Sequence, residues 1–220
     1  THAGREIGVA STKAFTCQLV VLAALAIRAA RQRGHIGAKS EAEMARALAA
    51  IPASVSAAFG ADNRLRAVAR RLAEARDVLF LGRGQMYPLA LEGALKLKEI
   101  SYIHAEGYAS GELKHGPIAL IDKTMPVVVM APKDALFGKT VSNMQEVMAR
   151  GGKVVLITDK AGAAIAGDGV WQTLIMPDVP EFLAPIVYAI PAQLLAYYTA
   201  VTKGTDVDQP RNLAKSVTVE

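Results

Sequence analysis

Apolar and polar positions along the chain follow two rhythms. Four short stretches, Asp77–Leu81, Pro126–Met130, Lys153–Thr158 and Gly169–Met176, are dense in apolar residues, as strands buried on both faces of a parallel sheet are. Between and around them the apolar residues spread to helical spacing. A helix is predicted from about Thr12 to Arg33, with Phe15, Leu19, Leu22 and Ile27 needing a partner surface. Ser40-Glu41-Ala42-Glu43 reads as a capping box opening a helix to about Phe59, which Pro52 kinks or divides. Further helices are predicted at roughly Asp62–Arg76, Asp134–Arg150 (ended by Gly151-Gly152) and Phe182–Val201 (ended by Lys203-Gly204). Asp159-Lys160-Ala161-Gly162 reads as a turn. Strands alternating with helices predict an α/β fold, a mostly parallel sheet covered on both faces, with right-handed crossovers.

Composition narrows this picture only a little. With 220 residues the chain can bury a sizeable core; 52% of them are apolar and 5% aromatic, so that core should be aliphatic. The net charge of +5 permits anionic partners. Arg64, Arg66, Arg70 and Arg71 gather on one predicted helix, yet no aromatic residue interleaves with them, which argues against nucleic-acid binding. Cys17 is the single cysteine, so there is no disulfide framework, and the four histidines lack metal-ligand spacing. The apolar run Leu19–Ile27 is expected to be too short to span a bilayer, and no signal peptide precedes it. A reducing, cytoplasmic compartment suits all of this.

Chemistry concentrates between Leu81 and Pro117. A strand breaks at Gly82-Arg83-Gly84 and a helix restarts with Pro88 in its first turn. Such a corner points backbone N–H groups and the helix dipole at whatever binds at the strand's end. The helix places Glu92, Lys96 and Glu99 on one face, while Ala90, Gly93, Ala94 and Leu97 line a face that can pack on a sheet. On spacing alone Glu92–Lys96 equally reads as a surface ion pair worth about 0.2–0.5 kcal/mol. Glu112, Lys114 and His115 follow, where His115 before Gly116-Pro117 equally reads as the end of a short helix. The residues by themselves support a sugar- or phosphate-sized ligand site with an acid–base helix. The polar tail Thr205–Glu220 carries Leu213-Ala214 and the Val217/Val219 alternation as docking groups, with Lys215 beside them as a partly buried amine.

Taken together, EIGVASTKAFT, LGRGQMYPLALEGALKLKEISYIHAEGYASGELKHGP and DVDQPRNLAKSVTVE closely resemble the C-terminal sugar isomerase (SIS) region of the glucosamine-6-phosphate synthases, over essentially the whole chain. The resemblance implies an SIS-type three-layer αβα sandwich, and a glutamine–fructose-6-phosphate transaminase (isomerising) chemistry with no metal or organic cofactor. Ammonia from a separate glutaminase domain would meet fructose 6-phosphate, and ring opening, imine formation and C1–C2 proton transfer would give glucosamine 6-phosphate. On that resemblance Glu99 is the base for proton transfer, and Lys96 stabilises the developing enediolate-like charge. Lys215 captures the open-chain ketose as a Schiff base. His115 opens the ring, entering from the neighbouring subunit of a homodimer. Val9, Ser11 and Ala214 line the sugar pocket and the channel exit.

The resemblance also implies that residues 1–35 are the last helix of a first SIS lobe, 36–204 a second SIS domain, and 205–220 a tail closing the site. The phosphate grip and the glutaminase domain would then lie upstream of residue 1, and Cys17 does not replace the glutaminase nucleophile. The 220 residues alone are expected to turn over weakly or not at all. Two other readings stay open: another SIS-type sugar-phosphate deaminase or deglycase, and a non-catalytic phosphosugar-binding module.

Overall fold

The computed structural model describes residues 1–216. Five strands, β1 (Asp77–Gly82), β2 (His104–Ala109), β3 (Pro126–Met130), β4 (Lys153–Asp159) and β5 (Gln172–Met176), form one sheet in the order β2-β1-β3-β4-β5. All four pairings are parallel, from Asp77↔His104 at one edge to Asp159↔Met176 at the other. The helices are α1 (Lys13–Gln32), α2 (Ala38–Ala49), α3 (Ile51–Ala58), α4 (Asp62–Leu72), α5 (Met86–Ser101), α6 (Phe137–Met148), α7 (Lys160–Ile165) and α8 (Ala184–Lys203).

Strand side chains alternate between two cores, as the pleat requires. Val78, Phe80, Val128, Met130, Val155 and Ile157 point to one side and pack against α4, α5 and α8. Leu79, Leu81, Val127, Val129, Val154 and Leu156 point to the other, where α6 supplies Phe137, Met144 and Val147. The three-layer αβα arrangement is therefore present. Two glycines let α5 sit low on the sheet. A Cβ at Gly82 would lie 2.1 Å from the Met86 carbonyl oxygen, and one at Gly93 would lie 2.8 Å from the Phe80 ring.

Several predicted boundaries shift, each for a physical reason. The helix predicted from Ser40 begins at Ala38, with Gly37 at its N-cap, so Ser40 lies inside the first turn and caps nothing. Pro52 does divide that stretch, into α2 and α3, because proline suits a helix's first turn. The predicted turn at Asp159 is instead a helix start: the Asp159 carboxylate accepts from Gly162 N–H at 2.7 Å and caps α7. Strand β2 is absent from the pattern-based reading, since HAEGYA carries too little apolar signal. It forms as an edge strand against β1, and Gly107 lets it approach α5 closely.

At the N-terminal end, α1 places Phe15, Leu19, Val20 and Ala23 against the larger core and buries Ile27. Val21, Leu22 and Leu25 of the same helix stay exposed. The run Leu19–Ile27 is part of a 20-residue helix, which corrects the expectation drawn from the run's length. By length and composition alone Lys13–Gln32, Ala38–Leu72 and Glu181–Lys203 could each cross a membrane, but the last is 72% buried and forms the core.

Candidate functional site

Helix α5 owes its placement to the corner before it: β1 ends at Gly82, Gly84 takes a positive φ of 56°, and Pro88 falls in the first turn. Its apolar face, with Leu89, Ala90, Ala94 and Leu97, is buried under the sheet and α8. That rotation forces the polar residues to a half-buried margin instead of open water. Lys96 is only 4% exposed. Its Nζ lies 2.6 Å from Glu99 Oε2 and 3.6 Å from Glu92 Oε1, so one ammonium is clasped by two carboxylates. The Glu99 contact is an ion pair without hydrogen-bond geometry, and Glu99 Oε2 is buried with no hydrogen-bond partner among the described residues. Burial pushes the Glu92 carboxyl up from its ordinary range; Lys96 opposes that shift and Glu99 adds to it. The surface-pair reading of Glu92–Lys96 is thereby corrected.

Two hollows open on either side of this helix. Lys96 lines one of about 300 Å³, together with Glu6, Gly8, Thr12, Gln193 and Asp208. Glu99 lines the other, about 490 Å³, with Tyr102, His104, Arg211 and Leu213. The segment 205–216 runs between them and ties the N-terminal segment to α5. Thr205 Oγ1 donates to Ile100 O at 2.6 Å, Arg211 N–H donates to Tyr102 Oη at 2.9 Å, and the Arg211 guanidinium stacks on that ring at 4.3 Å. Val9 N–H donates to Asp208 O at 2.9 Å.

Lys215 ends this path. Its Nζ donates to Gly8 O at 3.1 Å and Val9 O at 3.4 Å, and sits 3.5 Å from Glu6 Oε2. The side chain is 51% exposed, so it is less buried than its apolar neighbours in sequence suggested. Ser11 Oγ donates to the same Glu6 oxygen at 3.4 Å, and Ala214 is exposed beside Lys215. Lys215 thus meets the segment of Val9 and Ser11, with Ala214 beside it; none of the four lines the hollow that holds Lys96, but Glu6 and Gly8, which Lys215 contacts, do. His115 is not brought to this segment. It ends the 3-10 helix Ser110–His115, lines neither hollow, and is 73% exposed with Nδ1 3.9 Å from Glu112 Oε2. Val217 and Val219 lie outside the described residues.

Glu6 is the residue that pattern reading missed. It accepts from Thr12 N–H at 2.5 Å, Thr12 Oγ1 at 3.1 Å and Ala14 N–H at 3.4 Å, capping α1 from six residues upstream. Burial acts to raise its carboxyl, but those donors and Lys215 outweigh it and hold the group below the usual range. An acid shortly before a helix start was the available signal, too common to single out. Gln193 on α8 was missed as well; its Nε2 donates to Thr12 O at 3.2 Å, across 181 residues of sequence. Among the described residues no group of three or more His, Cys, Asp or Glu is placed to hold a metal ion. The arginines of α4 are partly engaged at the surface, Arg66 with Asp62 and Arg71 with Glu74.

The SIS domain profile matches residues 71–203, more than half of the chain and the segment that carries the sheet and α5. The chain belongs to the SIS domain family. Over all 220 residues it is 66% identical to the glutamine–fructose-6-phosphate aminotransferase [isomerizing] of Zymomonas mobilis, and 61% identical to that of Bartonella quintana. It spans 36% of the length of each. Among solved structures, the C-terminal domain of glucosamine-fructose-6-phosphate aminotransferase from Francisella tularensis superposes with a TM-score of 0.91 at 50% identity. That match covers 96% of this chain and 59% of that one. A glucosamine-6-phosphate deaminase from Thermotoga maritima, at TM-score 0.70 and 22% identity over 98% of this chain and 59% of that one, shares the fold. Within the SIS family, then, this chain is similar over almost all its length to the C-terminal domain of that aminotransferase.

Proposed function

We propose that this chain is the portion of a glutamine–fructose-6-phosphate aminotransferase that binds fructose 6-phosphate and, with ammonia delivered by a glutaminase domain, converts it to glucosamine 6-phosphate. The observation that carries this reading is the Glu92–Lys96–Glu99 cluster, with Lys96 facing one hollow and Glu99 the other, and Lys215 held against Glu6 on the wall of the first. Moving a proton between adjacent carbons needs a carboxylate able to reach both, and Glu99 holds a carboxylate one helical turn from the Lys96 ammonium at the wall of a hollow. A cation is needed where oxygen gains negative charge, and Lys96, one turn away, supplies it in a water-poor setting where such contacts are strong. Lys215, held from the tail against Gly8 and Val9 beside the hollow, is assigned the imine with the open-chain sugar. Val9, Ser11 and Ala214 are assigned to the sugar pocket there. These steps are acid–base and imine chemistry, so the reading calls for no cofactor.

His115 is assigned to ring opening at the site of a second subunit. It is exposed and lines neither hollow of its own chain, as a residue donated across a homodimer would. Residues 1–35 are assigned to the end of a first SIS lobe, which would hold the phosphate and cover the apolar face of α1 left bare here. Residues 36–204 form the second SIS domain and 205–220 the closing tail. A cytoplasmic setting fits the sugar-phosphate substrate.

The test is isomerisation of fructose 6-phosphate to glucose 6-phosphate by the full-length enzyme carrying this sequence. Glu99→Gln is expected to lower the rate by about 10²–10⁴-fold, the usual contribution of a positioned base. Lys215→Ala is expected to abolish trapping of the open-chain sugar by borohydride. If both variants isomerise at the normal rate, the helix and the tail are structural and the assignment fails.

A further inference from the structure

A second hollow of about 300 Å³ lies at the carboxyl ends of β3, β4 and β5, where doubly wound sheets bind ligands. Its chemistry is unlike that around Lys96. Asp134 follows β3, Asp159 closes β4, Asp178 follows β5, and Glu181 comes from the turn before α8; Lys133 is the one cation. Both Asp159 oxygens are already used, by Gly162 N–H at 2.7 Å and Lys133 N–H at 2.5 Å. Asp134 accepts from Leu136 N–H at 2.8 Å, and Lys133 Nζ leans over the Phe137 ring at 5.5 Å.

An acidic rim alone would mean little, but the wall behind it holds a group that calls for a partner. Tyr188 on α8 lines the hollow, is 2% exposed, and its hydroxyl has no hydrogen-bond partner among the described residues. A buried hydroxyl left unpaired costs stability, so such groups are normally satisfied. Burial, with Asp159, Asp178 and Asp134 nearby, pushes the Tyr188 phenol well up, so it remains a donor across the working range of pH.

We propose that this hollow is a second ligand site, which takes a small organic cation bearing a primary ammonium next to hydroxyl groups. The ammonium meets Asp178, Glu181 and Asp134 at the rim, and a hydroxyl oxygen accepts from Tyr188 at the back. A phosphorylated sugar is rejected by the same carboxylates. The site is separate from the Lys96 hollow, and the proposal stands or falls independently of the reaction assigned there.

Backbone amide NMR of the 220-residue chain, titrated with glucosamine and with glucose, tests this. Saturable shifts with glucosamine are expected at Lys133, Asp134, 159–162, Asp178, Val179 and Glu181, with none from glucose at equal concentration. Asp178→Asn, at an exposed position that does not burden folding, should weaken glucosamine about fivefold, and raising the salt should weaken it too. Tyr188→Phe should weaken it about as much without lowering the thermal midpoint, because the hydroxyl has no partner among the described residues to lose. No saturation, an equal response to glucose, shifts around Lys96 instead, or unchanged affinity in both variants would overturn the proposal. So would a response to a lysine-rich peptide but not to glucosamine, which would make the hollow a docking socket for protein.

Discussion

Two helices carry the same local pair, an acid four residues before a base: Glu92–Lys96 on α5 and Asp62–Arg66 on α4. Each pair has a third member, Glu99 in the first case and the Tyr198 hydroxyl, which donates to Asp62, in the second. What differs is water. The Lys96 side chain is 5% exposed, whereas that of Arg66 is 52% exposed, its guanidinium lying over the Tyr198 ring at 4.1 Å. The consequence shows in the acids. Burial pushes Glu92 up, while hydrogen bonds from Arg66 and Tyr198 hold Asp62 down. One motif therefore gives a strained ionic cluster suited to chemistry, and the other an ordinary surface latch.

Removing the central cation separates the two most sharply. Lys96→Met is expected to destabilise the fold by about 3 kcal/mol in urea denaturation at pH 7, since it leaves Glu92 and Glu99 buried without their counter-charge. Part of that loss should return as pH is lowered and Glu92, whose carboxyl burial pushes up, takes up its proton. A loss below about 1 kcal/mol at pH 7 would place α5 with the surface pairs and dissolve the distinction.

A smaller effect comes from Glu92→Gln. With its folded-state pKa raised, Glu92 contributes stability below its unfolded value and loses it as pH rises through the raised one. The denaturation midpoint of the wild type should therefore fall relative to the variant as pH climbs from 4 toward 7. A midpoint difference that is flat, or that moves the other way, would mean that Lys96 outweighs burial at this site.

The smallest effect belongs to Asp62→Asn, and its sign is reversed. A depressed carboxyl contributes stability above its unfolded pKa, which is lost as pH falls through the folded one. The wild type's advantage should be steady at neutral pH, fade in acid and shrink in about 1 M salt, because an exposed pair is screened. An advantage that survives high salt would show that packing of Tyr198, and not charge, holds α4 to α8.

Much of the architecture was legible in the chain because burial on both faces leaves a dense apolar signature. β3 falls where Pro126–Met130 predicts it, β1 and β4 differ by one residue at one end, and the Gly204 end of α8 is marked by its left-handed backbone. The edge strand β2 was not legible, since HAEGYA has no apolar run of its own and is set in place by pairing with β1. Likewise the spacing of Glu92, Lys96 and Glu99 identified a polar face on α5, yet the same i, i+4 acid–base pair, Asp62–Arg66, lies at the surface of α4.

By itself, then, the sequence determined the parallel α/β class, the Gly-Arg-Gly corner and the positions that could carry acid–base chemistry, because these depend on local periodicity and turn propensity. Only the tertiary structure decided which of those positions are taken out of water. α5 is rotated by the fit of Gly93 under Phe80, and that rotation buries Lys96 between its two carboxylates. The folding of distant segments onto one another brings Glu6 and Gln193 to one hollow, with Lys215 against Glu6. It likewise leaves the Tyr188 hydroxyl, in an acidic hollow, without a partner among the described residues. Long-range packing sets the dielectric and the partners of each charge, and no local pattern in the chain encodes either.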